Sequence, residues 1–346
     1  MADTVPCVTG FRGYIRRVLE TEIAGESRDV IVLAIDGIPL ALGRRLWANA
    51  RISAMSSVVP TTSVSSWLSS LTGLSVDQHG VPGVVIRLDP AGIVNVLEYK
   101  GALDVPDIGN IFSDADRVGY QPIAVRGDWE PYDCSWRETL LAGARCVPGP
   151  LFYAGRAASP NEIGRSLVAA IEPLRSPAGA RPRLIWCFVD ADQAVHHHGY
   201  SPDICAFLTL VDSIAVGWAS GGAVVVAHSD HGLTPTQHSP RLQRLIDGIV
   251  QRVGGTLGGA GRLRWVYVPD ESVQGTMREL ADALPPSIAV VPSDRLFAPG
   301  SLARGRVGGV SLVAMDRDFI TFGGQVFEHG SMLEDELLVP LARWGH

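Results

Sequence analysis

Lysine is almost missing from this chain: Lys100 stands alone among 29 basic residues, and the rest are arginine. The formal charge of -7 comes with no cluster of cations, which excludes a nucleic-acid groove, because phosphate backbones are held by grouped Lys and Arg. Cysteine is sparse and unpaired in pattern. Cys7, Cys134, Cys146, Cys187 and Cys205 make an odd set without a CxxC, which argues against a disulfide frame and against a cysteine-based zinc site. Cys187 lies in an apolar run and reads as core. The opening residues lack the basic start, apolar stretch and small-residue cleavage site of a secretory leader, and no apolar run reads as long enough to span a bilayer. The expectation is a soluble cytoplasmic protein with neither a nucleic-acid polymer nor a membrane as partner. Arginine in place of lysine fits a GC-rich bacterial genome. Glycine (38) and proline (23) are scattered rather than gathered into repeats, so neither a solenoid nor a low-complexity tract is present.

What is there is enough apolar residue to build a core: 46% of 346 residues. Short continuous runs at Asp29 to Ile35, Leu184 to Val189, Ala223 to Ala227 and Leu263 to Val268 suit strands buried on both faces. Helical patterns lie between and beyond them, at Val64 to Leu71, Asn161 to Leu174, Ile204 to Ala219, Pro240 to Val253 and Ser272 to Leu284. This alternation predicts an α/β fold, a doubly wound and mostly parallel sheet flanked by helices, in one domain over residues 1–346. Residues 86–155 have weaker periodicity and more turns, and read as a small cap insertion over the site.

In such sheets ligands sit outside the carboxyl ends of the strands. The polar residues fall there. Asp36 follows the first run, Asp190 and Asp192 the second, and Asp230 with His231 the third. A single Asp after a strand is commonly a turn or capping residue, but three strand ends that all carry acids, two of them followed by histidines, need another reason. In DADQAVHHHG, Asp192 and His196 are four apart, so a helical turn puts both on one face, with His197 and His198 directed elsewhere. AHSDHG supplies Asp230 and His231, and EHGSMLEDELLVPL supplies His329. In PTTSVSSWLSSLTG, Ser63 or Thr62 opens a helix, where a hydroxyl either caps the backbone or meets a phosphoryl group. Oxygen and nitrogen donors without thiolate suit zinc, manganese or iron, and two divalent ions about 3.5–4 Å apart can clamp both oxygens of an in-line displacement.

The ordered motifs resemble the alkaline phosphatase superfamily, in particular its type I phosphodiesterase and nucleotide pyrophosphatase branch. The resemblance runs from about residue 29 to 341 through VLAIDG, PTTSVSSWLSSLTG, SVDQHGVPG, DQAVHHHG, SDHG and EHGSMLEDELLVPL. It implies that Asp36, Ser63, Asp230 and His231 surround one metal ion and that Asp192, His196 and His329 hold a second. It also implies that Ser63, three residues after Pro60, is the nucleophile where this branch usually has threonine, with Thr62 as the fallback. His79 belongs to a structural turn in that resemblance, and Ser66 stands where relatives place an Asn that helps hold the phosphoryl group. Asp190 and His238 are second-sphere candidates, and Arg126 is the one basic residue offered for a monoester's extra charge.

The implied activity is metal-dependent hydrolysis of a small-molecule phosphate ester, diester or monoester, through a phosphoseryl intermediate. Phosphonate hydrolysis and phosphoryl transfer by a mutase are alternatives on the same metals. A sulfatase is disfavoured because the Cys/Ser-x-Pro-x-Arg nucleophile motif is missing. A metal-bound, non-catalytic binding protein is the alternative from another class, and the retained hydroxyl at position 63 speaks against it.

Overall fold

The computed structural model describes residues 5–25, 28–152, 159–177, 179–321 and 323–345. Its first apolar run is the strand Val30–Ile35, buried along its whole length. Alternation sends Val30, Val32 and Ala34 into one hydrophobic core and Ile31, Leu33 and Ile35 into another. Both faces are covered, which is why the run is continuously apolar. The strand pairs in parallel with Arg183–Val189 on one side and Val224–His228 on the other.

These three form the centre of a seven-stranded sheet in the order Arg51–Ser56, Leu338–Trp344, Val224–His228, Val30–Ile35, Arg183–Val189, Gln121–Val125 and Arg145–Val147. Only Leu338–Trp344 runs against its neighbours. Phe11–Ala24 and Ser63–Thr72 lie in the core on one face, while Pro160–Ile171 and Pro202–Ser220 lie in the core on the other. The doubly wound, mostly parallel arrangement read from the sequence is therefore present.

Three readings are corrected. Leu263–Tyr267 is not in the main sheet. It belongs to an antiparallel sheet ordered Thr256–Ala260, Leu263–Tyr267, Val310–Ala314 and Ile288–Pro292. One face of this sheet packs on the main core through Leu263, Trp265 and Tyr267, and the other covers Val266, Val310 and Leu312 with Pro240–Arg252 and Val273–Ala283. A strand covered on both faces looks alike in either sheet, so the pattern could not assign it.

Second, residues 86–155 are not simply a cap. Gln121–Val125 and Arg145–Val147 continue the main sheet in parallel, and what borders the site is the hairpin Val85–Leu88 with Gly92–Asn95 and the segment around Trp129. A strand with four buried residues and an outermost strand with exposed Arg145 and Cys146 are too short and too polar for periodicity to show. The expected end of the insertion, residues 153–155, lies outside the described residues. Third, Pro202–Ser220 is long and apolar enough, by length and composition, to cross a membrane. Here its Phe207, Leu208, Val211, Ala215 and Trp218 pack on the sheet, and its buried Asp212 accepts from the indole of Trp344 at 2.7 Å.

His79 ends the short helix Val76–His79 and is fully buried. The Val81 N–H donates to Nδ1 at 3.0 Å, so Nε2 carries the proton and donates to the Ser69 hydroxyl at 3.0 Å. It is the structural turn residue that the sequence implied. Burial pushes its pKa down to about 3. The folded chain keeps the ring neutral while the unfolded chain protonates it below about pH 6.5, so stability is full above that pH and falls as pH falls. In denaturant titrations with chelator between pH 7.5 and 5, His79→Gln is expected to flatten the pH dependence by up to about 1.4 kcal/mol per unit below pH 6.5. Identical slopes in the two proteins would contradict the assignment.

Candidate active site

Each of the three central strands ends in an acid. Asp36 follows Val30–Ile35 and its N–H donates to the Val189 carbonyl at 3.0 Å, which ties the first strand end to the second. Gly37 has φ 78°, and a Cβ there would stand 3.0 Å from the Asp192 Cα, so glycine lets the two acid-bearing turns lie side by side. Asp190 and Asp192 follow Arg183–Val189, while Asp230 and His231 follow Val224–His228. With Ser63, His196 and His329, Asp36 and Asp192 line a cavity of about 550 Å³, within the range for small-molecule sites.

The DQAVHHH segment is the helix Asp192–His198, and the four-residue spacing brings Asp192 Oδ2 to 2.9 Å from His196 Nε2. The ligand atoms of Asp192, His196 and His329 lie within 4.8 Å of one another, and so do those of Asp36, Asp192 and His231. Asp192 belongs to both groups. The sequence had assigned it to one. Asp230 Oδ2 lies 3.3 Å from His231 Nε2.

All three histidines point the same nitrogen inward. His196 Nδ1 meets the Phe327 carbonyl at 2.8 Å, His329 Nδ1 the Thr61 carbonyl at 2.6 Å, and His231 Nδ1 the Gly232 carbonyl at 3.3 Å. A carbonyl only accepts, so each Nδ1 carries a proton, and in the neutral ring Nε2 keeps its lone pair. Backbone carbonyls that fix a tautomer in this way are what metal-ligating histidines require. The rings of His231 and His329 stack with their centroids 3.9 Å apart.

The charges are strained without a cation. Burial, then the charge of Asp192, pushes Asp36 up to about 7. Burial and then Asp36 raise both Asp190 and Asp230 well above the usual carboxylate range. Burial also opposes the charge on Asp192, but His196 and then His329 hold it below that range. Burial would lower His196, yet Asp192 drives it up to about 10. Asp192 Oδ1 and Asp230 Oδ2 are buried and accept no hydrogen bond. Orphaned carboxylate oxygens beside pre-oriented imidazoles fit divalent cations, with Asp36, Asp192, Asp230, His196, His231 and His329 as the donors.

Ser63 is the first residue of the helix Ser63–Thr72, and Thr62 is its cap position. Capping does not explain either hydroxyl. Thr62 Oγ1 pairs with Ser65 Oγ at 3.0 Å, whereas Ser63 Oγ lies 3.1 Å from His231 Nε2 and 3.5 Å from Asp36 Oδ1. Of the two candidates, Ser63 is the one that meets the acid and histidine cluster.

Other readings find different places. Ser66 is buried against the Ser57 hydroxyl at 3.0 Å and does not line the cavity. Arg126 pairs with Glu130 at 2.8 Å, also away from the cavity. His238 accepts from the Thr321 N–H at 3.3 Å and is no neighbour of the site, while Asp190 lines it and accepts from the Gln193 N–H at 2.9 Å. His197 lines the cavity mouth but stands in neither donor group.

No protein-family model matches the chain, and no curated protein matches it by sequence. Solved structures do match. Murine ectonucleotide pyrophosphatase/phosphodiesterase 5 superposes with a TM-score of 0.65 at 16% identity over 92% of this chain and 88% of that one. Phosphonoacetate hydrolase from Sinorhizobium meliloti 1021, in complex with phosphonoformate, gives a TM-score of 0.67 at 17% identity over 92% and 90%. Both are members of the alkaline phosphatase superfamily. The chain has the alkaline phosphatase-like fold.

Within this fold, several site residues escaped the sequence reading. Trp67 donates its indole N–H to Asp36 Oδ2 at 3.0 Å, and Glu328, buried beside His329, lines the cavity. Thr61 joins two loops: its hydroxyl accepts from the Gly330 N–H at 2.9 Å while its carbonyl holds His329. Beneath them Arg262 and Glu336 form a fully exposure-free ion pair at 2.7 Å, and the Arg262 N–H donates to the His329 carbonyl at 2.7 Å. A Cβ on Gly261 would sit 2.1 Å from that carbonyl, so the Gly261 turn seats the loop. The EHG sequence was the available signal for Glu328, and nothing local marked the others.

Because Asp192 sits in both donor groups, Asp192→Ala is expected to lower metal content most, His196→Ala or His329→Ala less, and His197→Ala not at all. Metal counting by plasma mass spectrometry after dialysis checks this. Equal losses at His196 and His197 would show the helical register to be wrong.

Proposed function

We propose that this protein is a metal-dependent hydrolase of small phosphate esters that works through a phosphoseryl intermediate. The observation that carries the reading is the Ser63 hydroxyl at the start of a ten-residue helix, 3.1 Å from His231 Nε2 and open to the cavity. Divalent cations held by Asp36, Asp230 and His231 and by Asp192, His196 and His329 would supply positive charge that favours the serine alkoxide and neutralises the phosphoryl oxygens.

The protein's own groups do the rest. Ser63 Oγ, its proton passed to water, attacks phosphorus as the ester P–O bond breaks, and the departing alkoxide takes a proton from water. The helix start directs backbone N–H groups and the positive end of the dipole at the phosphoryl oxygens. Trp67 fixes one oxygen of Asp36, and the carbonyls on the three Nδ1 atoms keep the imidazoles in register. Water then attacks phosphorus from the side that the alcohol vacated and frees Ser63.

A phosphonate hydrolase is the second reading, favoured by the likeness to phosphonoacetate hydrolase. A panel of phosphate diesters, monoesters and phosphonates separates the two. Ser63→Ala is expected to keep the fold and the metals but to lose turnover by several orders of magnitude, with Thr62→Ala far less affected. Acid quench during turnover of a labelled ester should leave phosphate on the peptide that contains Ser63. If Ser63→Ala turns over normally, the covalent route is wrong.

A further inference from the structure

The cavity wall opposite in charge to the acids comes from the smaller sheet. Among the described residues that line the cavity, Arg264 is the only arginine or lysine, against Asp36, Asp190, Asp192 and Glu328. It is the second residue of the strand Leu263–Tyr267 and is half-buried. Its Nε donates to the Gly261 carbonyl at 3.2 Å and its Nη1 to the Gly259 carbonyl at 3.5 Å. A guanidinium has five N–H groups, so three remain.

Arg262, two residues earlier, shows what a structural arginine does in this turn: it is fully buried and paired to Glu336 at 2.7 Å. Arg264 has no carboxylate within 4.0 Å among the described residues, although the charge of Glu328 reaches it, and among those residues it shares no hydrogen bond or ion pair with Ser63, Asp36 or Asp192. A half-buried, always-charged fork pinned by two carbonyls and open to a cavity is built to take a planar anion.

We propose that Arg264 recognises a second anionic group on the substrate, a carboxylate or a further phosphate, carried beside the phosphoryl group that reacts. This rests on the hydrolase reading above and names the class of substrate: a phosphate ester that carries a second anionic group.

The test is calorimetric binding to metal-loaded Ser63→Ala protein, which cannot turn the probes over. Three series are compared, each with one to four methylenes: alkyl phosphates, ω-carboxyalkyl phosphates and alkanediol bisphosphates. One chain length in a charged series is expected to bind at least about tenfold tighter than its alkyl counterpart, and the series that gains identifies the anion. Adding Arg264→Met should abolish the gain and leave alkyl phosphate binding unchanged, while Arg264→Lys should keep part of it. The comparison among the three series on Ser63→Ala protein stands even if an Arg264 variant misfolds. If no charged series gains while alkyl phosphates bind, the proposal is wrong and the hydrolase reading survives. An equal loss for alkyl and charged probes in Arg264→Met would place the arginine on the reacting phosphoryl group and overturn the proposal. Failure of every phosphate to bind would overturn both readings.

Discussion

Everything at this site follows from bringing four carboxylates, Asp36, Asp190, Asp192 and Asp230, out of water at the ends of adjacent strands. Like charges that close raise one another's pKa, and burial raises it further, as Asp36 shows at about 7. Hydrogen bonds relieve part of the cost: Trp67 on Asp36, the Gln193 N–H on Asp190, His196 on Asp192. Two oxygens, Asp192 Oδ1 and Asp230 Oδ2, are left without a hydrogen bond among the described residues. A parallel sheet is what makes the clustering possible, because all three of these strands deliver their carboxyl ends to one edge.

The scaffold around the cluster is correspondingly stiff. His329 arrives on a loop more than a hundred residues after His196, and its position depends on Thr61, the Gly261 turn and the buried Arg262–Glu336 pair. Removing one partner of such a pair leaves an uncompensated buried charge, at a cost of about 3–5 kcal/mol. The smaller antiparallel sheet therefore does two things. It seats the His329 loop from below, and it presents Arg264 to the cavity.

The sequence made the central strands legible because burial on both faces leaves an unmistakable apolar run, as in Val30–Ile35. Asp192 and His196 were legible because helical periodicity is a local rule. His329 had no such rule; a His before a glycine means nothing until a loop is folded against Thr61, and only the ordered motifs suggested it. Arg264 was hidden for the opposite reason. Its strand was recognised but placed in the wrong sheet, and an arginine inside an apolar strand gives no sign of facing a cavity. Ser66 stands where relatives place an Asn, and Arg126 was the one basic residue offered for a monoester's extra charge; both turn away, towards Ser57 and Glu130. Contacts that join residues 61, 262, 329 and 336 depend on tertiary folding, and no periodicity encodes them.

The central claim is that the acids and imidazoles hold cations. Anomalous diffraction from crystals of the protein grown with zinc or manganese tests it most directly. The account predicts two peaks in the cavity, one among Asp192, His196 and His329 and one among Asp36, Asp192, Asp230 and His231, with Ser63 beside the second. A map with no peak in the cavity, or with ions bound only at exposed carboxylates outside it, would contradict it.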